Sequence, residues 1–242
     1  MRSMLWIDKV DVFYGDVQIL WDVSLKVQGK EIVTVLGSNG SGKSTLLRTI
    51  VNLVRSKKTG RSDGRISYNG SPIDGLSPEE TVRLGISLVP EGARVFGDMS
   101  VYDNLRMGSY LRRAREIREE MLEEVYVIFP RLQERRSQKA KTLSGGERKM
   151  LALGMALMSK PDLLLLDEPS LGLQPDFITR AFRTIQEINQ TGVAILLVEQ
   201  NVYQSLQISH RAYVLENGRM ILEGTGKELL NNPSIKKAYL AL

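Results

Sequence analysis

The stretch "EIVTVLGSNGSGKSTLLRTI", residues 31–50, constrains the fold more than any other part of the chain. A short apolar run ends at Gly37, and Lys43 opens a segment with apolar residues at helical spacing: Leu46, Leu47, Ile50, Leu53 and Val54. Between them, Gly37, Gly40 and Gly42 permit backbone conformations that aim successive N–H groups at one anion. A helix starting there adds the positive end of its dipole. The pattern G-x-x-x-x-G-K-S/T between strand and helix predicts a phosphate-binding loop, Gly37, Ser38, Asn39, Gly40, Ser41, Gly42, Lys43, Ser44 and Thr45. Lys43 is expected on the β- and γ-phosphates of a nucleotide, and Ser44 offers a hydroxyl to Mg²⁺. A glycine-rich turn with an incidental Lys-Ser is the plainer alternative, and the flanking strand and helix argue against it.

The rest of the chain fits a sheet around that loop. "LWIDKVDVFY" and "VQILWDVSLKVQ" read as strands joined at Gly15–Asp16, with Leu5, Ile7, Val10 and Val12 near one face. "GRISYNG", "ISLVP", "DLLLLDE", "AILLVEQ", "RAYVLEN" and "RMILEG" read as further strands, the last two a hairpin through "ENGR". "SPEETVRLG" begins with Ser77 as N-cap and Pro78 at the first helical position. "DFITRAFRTIQEIN" is an amphipathic helix. Residues 97–160 turn helical in "SVYDNLRMGSYL", "REIREEMLEEVYVIF" and "GERKMLALGMALMS". Strands alternating with helices imply an α/β fold with a mostly parallel core sheet. Onto this come an N-terminal antiparallel β part and an inserted helical subdomain. The expected division is one domain, 1–242, with a core of 1–90 and 161–242 and a helical block of about 91–160.

"DLLLLDEPS", residues 162–170, ends a buried strand on two carboxylates. Ligands of open parallel sheets bind at the C-terminal strand ends, where the phosphate loop also lies. Asp167 suits Mg²⁺ held through its hydration shell, and Glu168 suits a base that polarises an attacking water. "ILLVEQN", residues 195–201, likewise runs from apolar residues into Glu199, Gln200 and Asn201, so something polar must meet its end. "LSGGERKMLALGMAL", residues 143–157, offers a second anion-binding helix N-terminus at Ser144, Gly145 and Gly146. Alone, it reads equally as a serine-capped helix.

Composition removes several chemistries. The chain has no cysteine and a single histidine, His210, which excludes disulfides, thiolate metal sites and histidine clusters. No run reaches the roughly 18 apolar residues of a membrane span, and "MRSMLWIDKV" breaks into charge too early for a secretory signal. The net charge of +5 favours anionic partners. Its densest basic stretches, "LRRAREIR" and "RLQERRSQKAK", lack the interleaved aromatics of a single-strand groove, so no nucleic-acid partner is expected.

Taken together, "GSNGSGKST", "LSGGE", "LLLLDE" and Tyr14 closely resemble the nucleotide-binding subunit of an ATP-binding cassette (ABC) transporter, and the resemblance covers essentially the whole chain. It implies the P-loop NTPase fold of ABC ATPases. It also implies ATP and Mg²⁺ as cofactors and a head-to-tail dimer with a second ABC ATPase subunit, like or unlike. ATP would lie between the phosphate loop of one subunit and Ser144, Gly145, Gly146 and Glu147 of the other. Tyr14 would stack on adenine. The remaining implied partners are two transmembrane permease subunits and, indirectly, a periplasmic or extracellular substrate-binding protein. The chain would then work as a peripheral subunit on the cytoplasmic side of the cell membrane.

Three positions depart from the commonest family pattern. Glu91 stands where a glutamine contacts Mg²⁺, Gln174 where an aspartate is usual, and Gln200 where a switch histidine is usual. Gln200 can donate an amide N–H to the γ-phosphate but cannot titrate. "VPEGARVF", "DEPSLGL" and "LLVEQN" together are similar to one of the two unlike ATPases of branched-chain amino-acid importers, whose near relatives carry urea or short amides. The competing readings are a soluble ABC ATPase outside transport, a P-loop kinase of a small acceptor, and a nucleotide-dependent scaffold.

Overall fold

The computed structural model describes residues 3–54 and 61–240; the ends of the expected domain span, 1–2 and 241–242, lie outside the described residues. Two sheets carry the architecture. The first is four-stranded and antiparallel, β1 (Leu5–Tyr14), β2 (Val17–Val27), β4 (Arg61–Tyr68) and β5 (Ser71–Pro72), in the order β2-β1-β4-β5. The second is six-stranded and built from β3 (Ile32–Leu36), β6 (Ile86–Val89), β7 (Leu163–Asp167), β8 (Ala194–Glu199), β9 (Arg211–Glu216) and β10 (Arg219–Thr225). Its order is β10-β9-β3-β8-β7-β6, parallel throughout except for the β9–β10 hairpin.

The β1 sequence changes phase, with apolar residues at odd positions 5 and 7 and then at even positions 10 and 12. A strict strand would send the second pair to the other face. All four are nonetheless buried. The register with β2 shifts between Ile7 and Val10, and Lys9 takes φ 49°, so a bulge absorbs the extra residue. Gly64 accommodates it on β4, since a Cβ there would lie 2.4 Å from the Lys9 carbonyl oxygen.

The central strands read as continuous apolar runs because both faces of the parallel sheet are covered. Leu163 and Leu165 join a core with β1, β2, β4 and helix α1 (Lys43–Ile50). Leu164 and Leu166 join the opposite core, packed by α3 (Val101–Gly108), α5 (Arg118–Ile128), α7 (Gly145–Leu157) and α8 (Pro175–Gln190). Between them run α2 (Pro78–Arg83), α4 (Arg112–Glu116) and α6 (Pro130–Glu134). A third cluster packs α9 (Val202–Ile208) and α10 (Gly226–Asn231) on β3 and β9. Ser77 is the expected N-cap of α2 and closes a capping box with Glu80, and Asn217–Gly218 turns the β9–β10 hairpin with both φ angles positive.

Helix α1 is shorter than its apolar spacing implies. It ends at Ile50, and Asn52 takes φ 57°. Of the apolar residues past Ile50, Val51 and Val54 are buried but Leu53 is 48% exposed, so the spacing beyond Ile50 is that of a turn packed on the core and not of continued helix.

Candidate active site

Parallel pairing brings four strand ends to one edge of the sheet. Leu36 lies beside Glu199, Asp167 beside Val198, and Val89 beside Leu166. The residues that follow are therefore neighbours: the Gly37 loop, Gln200, Glu168 and Glu91. Their cleft of about 330 Å³ is lined by Ile19, Asn39, Gly40, Gly42, Lys43, Ser44, Thr45, Glu91 and Glu168.

Two of the loop's glycines leave no room for a side chain. A Cβ on Gly37 would lie 2.4 Å from the backbone oxygen of Leu215, and Gly42 holds φ 107°. Lys43 folds back under this loop, its Nζ donating to the carbonyl oxygens of Gly37 and Ser38, each at 2.9 Å. The same Nζ lies 3.0 Å from Glu168 Oε1. The other carboxylate oxygen, Oε2, accepts from the Gln200 side-chain amide at 2.6 Å. That amide donates its second N–H to Asn39 Oδ1 at 2.5 Å. One carboxylate is thus held from both sides at the mouth of an anion cradle.

Ser44 Oγ donates to Asp167 Oδ1 at 2.8 Å. Burial pushes the Asp167 carboxyl above the usual carboxylate range, although the Ser44 hydroxyl, Arg48 and the Glu91 backbone N–H pull the other way. A buried carboxylate that is short of solvation, with a hydroxyl beside it, is the hard oxygen donor set that Mg²⁺ prefers. The residues present therefore fit the ion.

Tyr14 lies at the β1–β2 turn, half-buried against the core and outside the lining of the cleft, where Ile19 stands instead. Ser144, Gly145, Gly146 and Glu147 also lie outside that lining, at the N-terminus of α7. Ser144 and Glu147 close a capping box, so the serine-cap reading holds within the chain, and Ser144 and Gly145 stay exposed. Burial alone would raise Glu147, but bonds from Ser144 and the charge of Arg135 outweigh it and hold the carboxyl low. Gln174 is an exposed N-cap of α8 without a side-chain cap bond. His210 is exposed and paired to Ile32 through backbone and Nδ1.

Two polar residues left without a role by sequence acquire one. Glu199 Oε1 accepts from the Ser170 amide at 2.8 Å, and Oε2 from the amides of Gln200 and Asn201 at 3.0 and 3.2 Å. Asn201 caps α9 by accepting from the Gln204 amide. The capping role was available from an Asn placed between a strand and a helix. The Glu199 role was not, because backbone partners leave no sequence signal. Ile19 was missed for the same kind of reason: its place in the lining comes from packing.

Residues 20–171 match the family model described as ABC transporter. The chain is 48% identical to the high-affinity branched-chain amino acid transport ATP-binding protein BraG of Pseudomonas aeruginosa, over 98% of this chain and 99% of that one. It is 37% identical to the probable branched-chain amino acid transport ATP-binding protein LivF of Archaeoglobus fulgidus, over 99% of both. A solved ATP-binding cassette of an ABC transporter in its ADP conformation superposes with a TM-score of 0.82 at 26% identity, covering all of both chains.

Proposed function

The chain belongs to the ABC transporter family as an ATP-hydrolysing subunit, and from that premise we propose that it powers a membrane importer of branched-chain amino acids. The observation that carries the chemistry is Glu168, held between Lys43 and Gln200 over the phosphate loop. A triphosphate entering the loop competes for Lys43, whose charge moves from Glu168 to the β- and γ-phosphates. Glu168 is then free to orient a water in line with the γ-phosphorus and accept its proton as the P–O bond to the β-phosphate breaks. Bound through Ser44 and Asp167, with Glu91 at the edge, Mg²⁺ would neutralise charge on the transferring group. Gln200 exchanges its bond to Asn39 for one to the γ-phosphate while keeping Glu168 in place.

The exposed Ser144–Gly145 end of α7 supports head-to-tail pairing, in which each signature helix covers the other subunit's nucleotide. Tyr14 is assigned to the adenine, beyond the phosphate cleft. The helical block of about 91–160 is assigned as a subdomain that answers to the permeases. The working complex is then two ATPase subunits, alike or unlike, on two transmembrane permeases at the cytoplasmic face, fed by a substrate-binding protein. The cargo is argued from the 48% and 37% relatives.

Glu168→Gln tests the chemistry: MgATP binding persists while turnover is lost, and wild-type hydrolysis by that variant defeats the assignment. Leucine uptake by vesicles holding the chain with its permeases tests the cargo. Urea or short-amide uptake in place of leucine would move the transporter to a different substrate.

A further inference from the structure

Glu168 adopts φ 48° although it is not glycine. Such a conformation persists only where the surroundings over-determine it. Its own N–H donates to the Val198 carbonyl oxygen at 3.0 Å, and two side chains from distant parts of the sequence close on the segment that follows. From β8, Glu199 is 1% exposed and grips the Ser170 amide. From α7, Lys149 Nζ donates to the carbonyl oxygens of Pro169, at 2.9 Å, and Leu171, and lies 3.5 Å from that of Glu168.

We propose that Lys149 is a positioning residue for Glu168: it fixes the Glu168–Leu171 backbone against Glu199 and so ties the aim of the carboxylate to the position of α7. The inference rests on the reading of Glu168 as the base. A cation can gather three carbonyl oxygens of one turn at once, which a neutral side chain with fewer donors cannot. Burial lowers the Lys149 pKa, and the carboxylates of Glu199, Glu91 and Glu168 oppose that effect, which gives the ammonium electrostatic support in a half-buried place. Lys149 stands five residues after Ser144 on the same helix. A displacement of α7 on meeting a partner's nucleotide would reach the Glu168 carbonyl through one side chain.

Lys149→Met keeps the apolar stem and removes the donors, while Lys149→Arg keeps charge and donors. In single-turnover hydrolysis of MgATP by the full chain, Lys149→Met is expected to lower the rate about tenfold to a hundredfold, the scale of a misaimed group. The Kd for MgATP, measured by calorimetry with Glu168→Gln in both chains so that no turnover intervenes, should hold within about twofold. Lys149→Arg should recover most of the rate. A wild-type rate in Lys149→Met, or a Kd that weakens in step with the rate, overturns the proposal. Should Lys149→Met fail to fold, Lys149→Gln, neutral and with fewer donors, gives the same comparison. Normal turnover in Glu168→Gln alone would instead defeat the base assignment, so the two failures are told apart.

Discussion

Lys43 and Glu168 form a buried ion pair, Nζ 3.0 Å from Oε1, with side chains 3% and 7% exposed. Neither partner can be removed without cost, but the costs differ. Lys43→Met leaves a buried carboxylate with only the Gln200 amide to meet it among the described residues, and breaking a buried pair costs about 3–5 kcal/mol. Glu168→Gln leaves Lys43 with the Gly37 and Ser38 carbonyl oxygens. Urea unfolding should therefore show a loss of about 3 kcal/mol for Lys43→Met and a clearly smaller one for Glu168→Gln. Equal losses would mean that the pair is not what holds this corner.

Gln200 donates to Glu168 without being able to titrate. Gln200→Ala removes the donor that aims the base and should lower kcat about 100-fold, the scale seen when one preorganised donor is lost. Gln200→His places an imidazole of ordinary pKa about 6.5 beside Glu168. Because the Glu168 carboxylate favours the imidazolium, the rate profile of that variant should gain a histidine step, shifted up from the ordinary value, that the natural chain lacks. Unchanged activity in Gln200→Ala would take the residue out of the mechanism.

Much of this site is legible in sequence because its parts are local. The phosphate loop, Asp167 and Glu168 follow strands whose apolar runs announce them, and parallel topology does the rest. What stays hidden depends on partners far along the chain. Glu199 meets Ser170 across 29 residues, and Lys149 meets Pro169 across 20, in both cases through backbone atoms that every residue type shares. The β1 bulge lies between these extremes: the phase change was visible at Ile7 and Val10, but only the register with β2 explains it.

Asp167 gives a pH prediction of definite sign. Burial raises its pKa in the folded chain, so the fold binds this proton more tightly than the unfolded chain does. Its contribution to stability is fully present below the ordinary carboxylate pKa and is lost as pH rises through the raised folded value. Asp167→Asn can still accept from Ser44 and carries no buried charge. Its melting temperature should exceed that of the natural chain at neutral pH, and the gap should close on acidification. MgATP should narrow the gap from the other side, by stabilising the natural chain more than the variant. A gap that widens toward acid pH would reverse the assigned cause.

Gly145 separates the two readings of the α7 N-terminus. A Cβ added there meets nothing within 4 Å, whereas one on Gly146 would lie 3.1 Å from Phe177 Cδ1. Replacing a glycine by alanine where the backbone conformation suits it stabilises by roughly 0.4–1 kcal/mol, chiefly through the unfolded chain. If α7 merely begins with a serine cap, Gly145→Ala should be slightly more stable and fully active, because the Ser144–Glu147 capping box is untouched. If a partner's triphosphate closes on this surface, the added methyl occupies the space that the phosphate needs. Gly145→Ala should then keep the gain in stability and the MgATP affinity of the isolated subunit, yet lose steady-state ATPase activity and the ATP-dependent dimer. Sedimentation with MgATP on the Glu168→Gln background reads the dimer directly. A Gly145→Ala variant that still dimerises and turns over normally leaves α7 as a capped helix and nothing more.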